Sequence, residues 1–248
     1  MSDSLVIIPT YNEKENAERI IRKVFSLPKD FHILIVDDGS PDGTADIVKK
    51  LQAEFPSQLH ILERSGKQGL GTAYIAGFRW GLMKDYAYLF EMDADFSHNP
   101  DDLTRLYLAC AEEGADFSIG SRYVKGGKVD NWPLDRILMS YFASVYVNMI
   151  LWIGIRDCTA GFKCYSRKVL ETIDLSGIRF IGYAFQIEMK YKARRLGFEA
   201  KEVPITFIDR QFGESKMSLG IFKEAFWGVI KMRFSPVKRA QQVSKKTS

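Results

Sequence analysis

Short apolar runs alternate along this chain with longer stretches whose apolar residues recur every three or four positions. Leu5-Val-Ile-Ile-Pro9 predicts a buried strand, and Ala17, Ile20, Ile21 and Val24 put one apolar face on a helix over 14–25. The unit then repeats. Strands are predicted at 31–36, 59–62, 86–92 and 116–120, with helices over 45–55, from the Gly66–Gly71 loop to about Met83, and over 100–113. Strands that alternate with helices imply an α/β fold, a single Rossmann-like domain whose mostly parallel sheet carries helices on both faces.

The rhythm breaks after Arg122. Residues 125–133 are loop-like, and Ile137 to Ile155 is a stretch of nineteen residues without a charge. Ser140, Ser144 and Asn148 recur in it every fourth position, between Arg136 and Arg156, which predicts a packed or amphipathic helix and no transmembrane segment. Tyr141, Tyr146 and Trp152 suit a helix lying at a membrane interface. Further on, 162–165 predicts a strand, 185–196 a helix carrying Gln186 and Glu188, and 200–208 a strand ending at Asp209-Arg210. The last predicted element is an amphipathic helix over 219–234, with Ile221, Phe222, Ala225, Phe226, Val229 and Ile230 on its apolar stripe.

The 248 residues, 46% of them hydrophobic, suffice for one large core, so residues 1–234 are expected to form one catalytic domain. Residues 235–248 are expected to be a basic, disordered tail. The net charge of +4 sits at that end: residues 231–248 hold six of the 35 Lys and Arg and no acid, leaving 29 basic against 31 acidic residues in 1–230, a net of −2. Such an end can approach nucleic acid or an anionic membrane surface, or stay a solvated end; a membrane surface, and no nucleic acid, is the expected partner. Cys110, Cys158 and Cys164 form no metal-binding or Cys-x-x-Cys pattern, and Met1-Ser2-Asp3-Ser4 does not open a signal peptide, so a cytoplasmic protein is expected.

Three predicted strands end in polar residues: Pro9, Tyr11 and Glu13 follow the first, Asp37 and Asp38 the second, Asp93 and Asp95 the fourth. In a parallel sheet these ends share one edge, where ligands gather. An Asp-x-Asp of hard oxygen donors suits Mg²⁺ or Mn²⁺ bound against a diphosphate, and Arg122, Arg210 and Lys216 are the cations available to close over phosphates. Other motifs fail by counting. The calcium-loop pattern begun at Asp38 meets Lys49 where Glu is required, Gly66-Lys-Gln-Gly-Leu-Gly71 lacks the phosphate-loop spacing, and Tyr74 stands where a dinucleotide fingerprint needs glycine.

The segments Pro9-Thr-Tyr-Asn-Glu13, Val36-Asp-Asp-Gly-Ser-Pro-Asp-Gly-Thr44, Gly69-Leu-Gly-Thr72, Met92-Asp-Ala-Asp-Phe-Ser-His98, Gly120-Ser-Arg-Tyr123, Phe185-Gln-Ile-Glu-Met189 and Asp209-Arg-Gln-Phe-Gly-Glu-Ser-Lys216 together resemble glycosyltransferase family 2. Within it, the Ser-His-x-Pro run and the terminal Gly-Glu-Ser-Lys resemble the dolichyl-phosphate (polyprenyl-phosphate) mannose synthase branch. The resemblance implies a GT-A fold and inverting transfer of mannose from GDP-mannose to a polyprenyl or dolichyl monophosphate. It implies that Pro9, Tyr11, Glu13, Val36 and Asp38 contact the nucleotide, that Asp93, Ala94 and Asp95 form the metal and diphosphate site, and that Arg122, Arg210 and Lys216 embrace the phosphates. Ser97 stands where some relatives place Gln as a further metal-shell ligand. Asp95, Arg122, Arg210 and Lys216 are the expected catalytic residues. A peripheral enzyme at the cytoplasmic face of a membrane follows, and a small membrane partner subunit is possible in such a family. A sibling using UDP-glucose, a receiver-like domain suggested by Ile33–Asp38, and a noncatalytic nucleotide-binding membrane module are the alternatives.

Overall fold

The computed structural model describes residues 2–182, 184–209 and 219–240, the side chains of 219–225 excepted. The expected site residues Arg210 and Lys216 lie outside the described residues. The first half builds β1 (Ser4–Thr10), α1 (Lys14–Phe25), β2 (His32–Asp37), α2 (Thr44–Glu54), β3 (Leu59–Glu63), α3 (Leu70–Leu82), β4 (Tyr88–Glu91), α4 (Asp102–Ala111) and β5 (Phe117–Ser121). The second half adds β6 (Lys128–Asp130), α5 (Leu134–Leu151), β7 (Lys163–Ser166), α6 (Arg167–Thr172), α7 (Ala184–Arg195), β8 (Ala200–Pro204), β9 (Thr206–Ile208) and α8 (Leu219–Arg233).

Successive residues of a strand point to opposite faces, and β1 shows why it is apolar throughout. Leu5 and Ile7 join a core under α3, α5 and α7, whereas Val6 and Ile8 join a second core under α1, α2 and α4. Both faces of the sheet are covered. The seven-stranded order is β3-β2-β1-β4-β7-β5-β8. Chain order runs outward from β1 to β3 and then returns to the other side of β1, so the switch point lies between β1 and β4, where a ligand crevice is expected. The helix α3 sits close over it because Gly77 has no Cβ; one built there would lie 2.5 Å from Ile7 Cγ2.

Several elements differ from the pattern-based expectation. The predicted strand at 162–165 is β7, but it runs antiparallel to both neighbours, β4 and β5. The predicted strand at 200–208 breaks at Ile205: β8 extends the main sheet, whereas β9 pairs in parallel with β6, a strand inside the segment expected to be loop. Residues 235–240, assigned by sequence to the tail, pair with the body through an Ile173–Arg239 bridge and an Ala240 N–H donated to Thr172 O at 2.9 Å.

The charge-free stretch is mostly α5, and its amphipathicity is inverted. Ser144 is 1% exposed, and its hydroxyl accepts from Cys158 N at 3.2 Å. Asn148 faces the same loop, accepting from Ile155 N at 3.3 Å. The outward side is apolar: Leu138, Met139, Tyr141, Phe142 and Met149 are exposed, and Trp152, at the helix end, is 75% exposed. Phe226 and Trp227 of α8 continue this surface, with Tyr146 stacked on Phe226 at 4.8 Å. Among the described residues, no helix is long and apolar enough to cross a membrane.

Candidate active site

The end of β2 is held by a carboxylate that faces inward. Asp37, 1% exposed, accepts from Thr10 Oγ1 at 2.8 Å and from Ser40 N and Oγ at 2.9 and 2.6 Å, tying the ends of β1 and β2 to the Gly39-Ser40 turn. Its neighbour Asp38 meets Arg64, whose Nε donates to Oδ1 at 2.6 Å while Nη1 donates to Thr72 Oγ1 at 2.9 Å. This bridge joins the ends of β2 and β3 to the start of α3. Arg64 Nη2 is buried and makes no hydrogen bond among the described residues, which leaves a donor beside Asp38.

Around the end of β1, Pro9 is the strand's one residue that is not fully buried. Tyr11 is partly exposed with Lys67 Nζ 5.2 Å from its ring centroid, and Glu13 accepts from Asn16 Nδ2 at 3.0 Å. Val36 and Ala94 do not join this surface. Val36 is fully enclosed in the core below α3, and Ala94, 3% exposed, is enclosed in the other core, so their side chains support the edge from within.

Beyond β4, Asp93 and Asp95 are both partly exposed. Tyr74 Oη donates to Asp93 Oδ1 at 3.1 Å, and burial with the nearby carboxylates pushes that phenol well up, so it remains a donor. Ser97 N donates to Asp95 Oδ1 at 3.0 Å; the Ser97 side chain is itself buried. Both carboxylates thus have one edge oriented by the protein. Two hard oxygen donors at a strand edge fit a divalent cation that takes its other oxygens from a ligand, and among the described residues no group of three His, Cys, Asp or Glu forms a closed cage.

Arg122 follows β5, on the same edge. Its Nε and Nη2 donate to Asp157 Oδ2 and Oδ1 at 2.7 and 2.6 Å, its backbone N–H to Oδ2 at 3.0 Å, and Nη2 also to Thr159 Oγ1 at 2.7 Å. Burial opposes charge on both partners, but each outweighs it for the other: Arg122 is raised and Asp157 lowered. The guanidinium lies near Trp132 and Phe207, each 5.5 Å from ring centroid to Cζ. Arg136 also packs on Trp132, at 4.0 Å, and pairs with Asp209 at 3.1 Å. Trp132 Nε1 is buried and makes no hydrogen bond among the described residues.

His98 links the two groups. Its ring stacks on Phe162 at 4.9 Å and meets Phe207 edge-on at 5.5 Å, and Nδ1 accepts from Asp93 N at 3.4 Å. Burial lowers its pKa, with Asp93, Asp95, Arg122 and Asp157 all within electrostatic reach. The carboxylates and the guanidinium therefore lie around one imidazole ring at the strand edge. Beneath it, Glu91 is fully buried, 3.0 Å from Lys163 Nζ, and accepts from Gln186 Nε2 at 2.8 Å. Gln186 thereby steadies the strand that carries Asp93. Glu188 instead accepts from the Arg179 and Phe180 N–H groups at 2.9 and 3.0 Å.

Arg64, Asp157, Trp132 and Arg136, which contact the candidate site residues or their partners, carry no motif in the sequence that singles them out. In the sequence Arg136 stands out only as one end of the charge-free stretch.

Residues 5–174 match the family model described as Glycosyl transferase family 2. The chain belongs to glycosyl transferase family 2. Among curated relatives of this family 2 glycosyltransferase, polyprenol monophosphomannose synthase from Mycolicibacterium smegmatis is 50% identical over 231 residues, covering 91% of this chain and 87% of the relative. Undecaprenyl-phosphate mannosyltransferase from Micrococcus luteus is 48% identical over 230 residues, covering 91% and 93%. The GT-A-type fold recurs in glucosyl-3-phosphoglycerate synthase from Mycobacterium tuberculosis, solved with Mn²⁺, UDP and phosphoglyceric acid, at TM-score 0.65 and 16% identity over 94% of this chain and 79% of that one. It recurs also in a mannosyltransferase from Pyrobaculum calidifontis, solved with GDP-Man and Mn²⁺, at TM-score 0.59 and 16% identity over 94% and 63%.

Proposed function

We propose that this glycosyltransferase moves mannose from GDP-mannose to the phosphate of a polyprenyl monophosphate, with inversion at the anomeric carbon. The observation that carries the proposal is that the partly exposed carboxylates Asp93 and Asp95 and the clamped cation Arg122 follow strands of one sheet edge and all lie within electrostatic reach of His98. Half-identity over nearly the full length of two polyprenyl-phosphate mannosyl enzymes supports the choice of sugar and acceptor.

The acceptor is a phosphate monoester, already anionic near neutral pH, so it attacks without a protein base. One acceptor oxygen forms a bond to the anomeric carbon as the bond from that carbon to the diphosphate breaks, and GDP departs with the electron pair. Pro9, Tyr11, Glu13 and Asp38 hold the nucleotide, with Arg64 beside Asp38 as a further donor. Arg122, kept charged and immobile by Asp157, and Arg136 on Trp132 orient the phosphates, which is positioning with electrostatic stabilisation. A divalent cation, Mg²⁺ or Mn²⁺, held by Asp93 and Asp95 would offset charge on the departing diphosphate.

The apolar outer side of α5 and the adjoining Phe226 and Trp227 suit contact with the lipid surface that carries the acceptor. Arg233 borders that surface, over the Trp152 ring at 4.6 Å, which favours an anionic bilayer. A small membrane subunit is the competing occupant.

The decisive test is transfer of labelled sugar from GDP-mannose, with UDP-glucose in parallel, to polyprenyl phosphate in detergent, with Mg²⁺ or EDTA. Lipid-soluble product from GDP-mannose only with metal is expected. Product from UDP-glucose alone would replace the donor, and no product from folded protein would reject the activity.

A further inference from the structure

A cavity of about 350 Å³ lies between the segment from Asp174 to Phe180 and the end of α8, lined by none of the described candidate site residues. Arg179, Lys192, Lys231 and Lys238 line it, against two acids, Asp174 and Glu188. Both acids are already engaged. Asp174 Oδ1 accepts from the Ser176 and Gly177 N–H groups at 3.0 and 3.1 Å. Glu188, besides its two N–H donors, pairs with Lys192 at 3.0 Å, and Lys192 also donates to Gly177 O at 2.7 Å.

That leaves Arg179, Lys231 and Lys238 as the cations facing the space. Arg179 is fixed by a hydrogen bond from Nη1 to Ser235 Oγ at 3.1 Å, and its own backbone N–H is held by Glu188. Ile178, Phe180, Met232 and Val237 give the cavity an apolar wall, beside the polar Ser176, Tyr191 and Ser235. Three cations over an apolar wall suit a phosphate attached to a hydrocarbon-bearing group.

The place of this cavity decides between a free anion and a lipid. Lys231 stands four residues after Trp227, hence on the same face of α8, and Trp227 is 66% exposed. Phe234, one turn on, is 84% exposed, and between them Arg233 covers Trp152 at the end of α5. The cavity mouth therefore adjoins the apolar surface formed by α5 and α8. We infer that this cavity is a second phosphate site, separate from the crevice, which takes the headgroup of an anionic membrane lipid. The inference rests on membrane contact by the α5–α8 surface. Its effect is to fix how the enzyme sits on the bilayer, in addition to the diffuse attraction of basic residues.

The test is co-sedimentation of the full chain with phosphatidylcholine vesicles, with and without phosphatidic acid. The variant Arg179→Gln/Lys231→Gln is compared with Lys50→Gln/Lys84→Gln, which removes the same charge elsewhere. Phosphatidic acid is expected to strengthen binding, and the cavity variant to lose at least about tenfold of it while the control loses little, since each basic residue near an anionic surface contributes about 1 kcal/mol. Equal losses in both variants would reduce the site to diffuse charge and overturn the inference. In parallel, inorganic phosphate is titrated while the Met232 methyl resonance is followed. A shift that phosphatidic acid vesicles do not compete away would assign a free-anion site and also overturn it. Transfer to acceptor in detergent should be unchanged in the cavity variant, so failure here is separable from failure of the catalytic proposal. Failure to bind any vesicle would reject membrane contact itself.

Discussion

Arg122 and Asp157 form a two-pronged ion pair, at 2.7 and 2.6 Å, in which the carboxylate is wholly buried and the guanidinium 7% exposed. Removing one partner leaves the other as an uncompensated buried charge. Asp157→Ala is therefore expected to cost about 3–5 kcal/mol in denaturant unfolding. Arg122→Lys keeps the charge but not the fork, and should lower transfer with a smaller loss of stability. Wild-type turnover in Arg122→Lys would remove the positioning role.

Asp93 and Asp95 both reach solvent at the strand edge. Asp93→Ala and Asp95→Ala should each abolish transfer, and Asp93→Ala should also lower the unfolding midpoint, because it removes the acceptor of the buried Tyr74 hydroxyl. EDTA should abolish parental transfer, and added Mg²⁺ or Mn²⁺ restore it. Metal-independent turnover in either variant would discard the carboxylate pair as the cation site.

Lys190 is fully buried, and burial brings its pKa down to about 7. Its Nζ donates to Cys158 O and Ala160 O at 2.9 and 2.6 Å, bracing the loop that carries Asp157. The folded pKa lies below the unfolded value of 10.5, so between them the unfolded chain binds more protons. This residue's contribution to stability should rise with pH from about 7 to about 10 by no more than about 1 kcal/mol per pH unit. The comparison is parent against Lys190→Met by chemical denaturation across that range; a constant difference would show that Lys190 stays charged when folded.

Phe142 and Met149 are 61% and 68% exposed on the outer side of α5. Phe142→Ser/Met149→Ser should change stability by less than about 1 kcal/mol, because little packing is lost. Binding to anionic liposomes should weaken by about tenfold or more. Unaltered liposome binding would place membrane contact elsewhere.

The strand and helix alternation was legible because runs such as Leu5–Ile8 are buried on both faces and leave no other arrangement. The crevice followed from it, since parallel strands deliver Glu13, Asp38 and Asp93 to one edge. The four-residue spacing of Ser140, Ser144 and Asn148 marked a stripe on α5 but not which way it faces. The direction depends on loop carbonyls and N–H groups around Ile155 and Cys158 that meet the helix only in three dimensions. Pairs such as Arg122 with Asp157 and Arg64 with Asp38, separated by 35 and 26 residues, left no local signal. The strand β6 spans only three residues, too few to show a period, and the three-residue β9 could not be told from a continuation of β8.

The antiparallel insertion of β7 between β4 and β5 sets an order of events during synthesis. When the first four strands have emerged from the ribosome, β4 is still an open edge, and Glu91 awaits both Lys163 and Gln186. The strand carrying the Asp-x-Asp is thus closed by a segment made some 70 residues later. A nascent chain can complete the nucleotide side of its crevice early, yet it gains a fixed reaction centre only when its second half arrives.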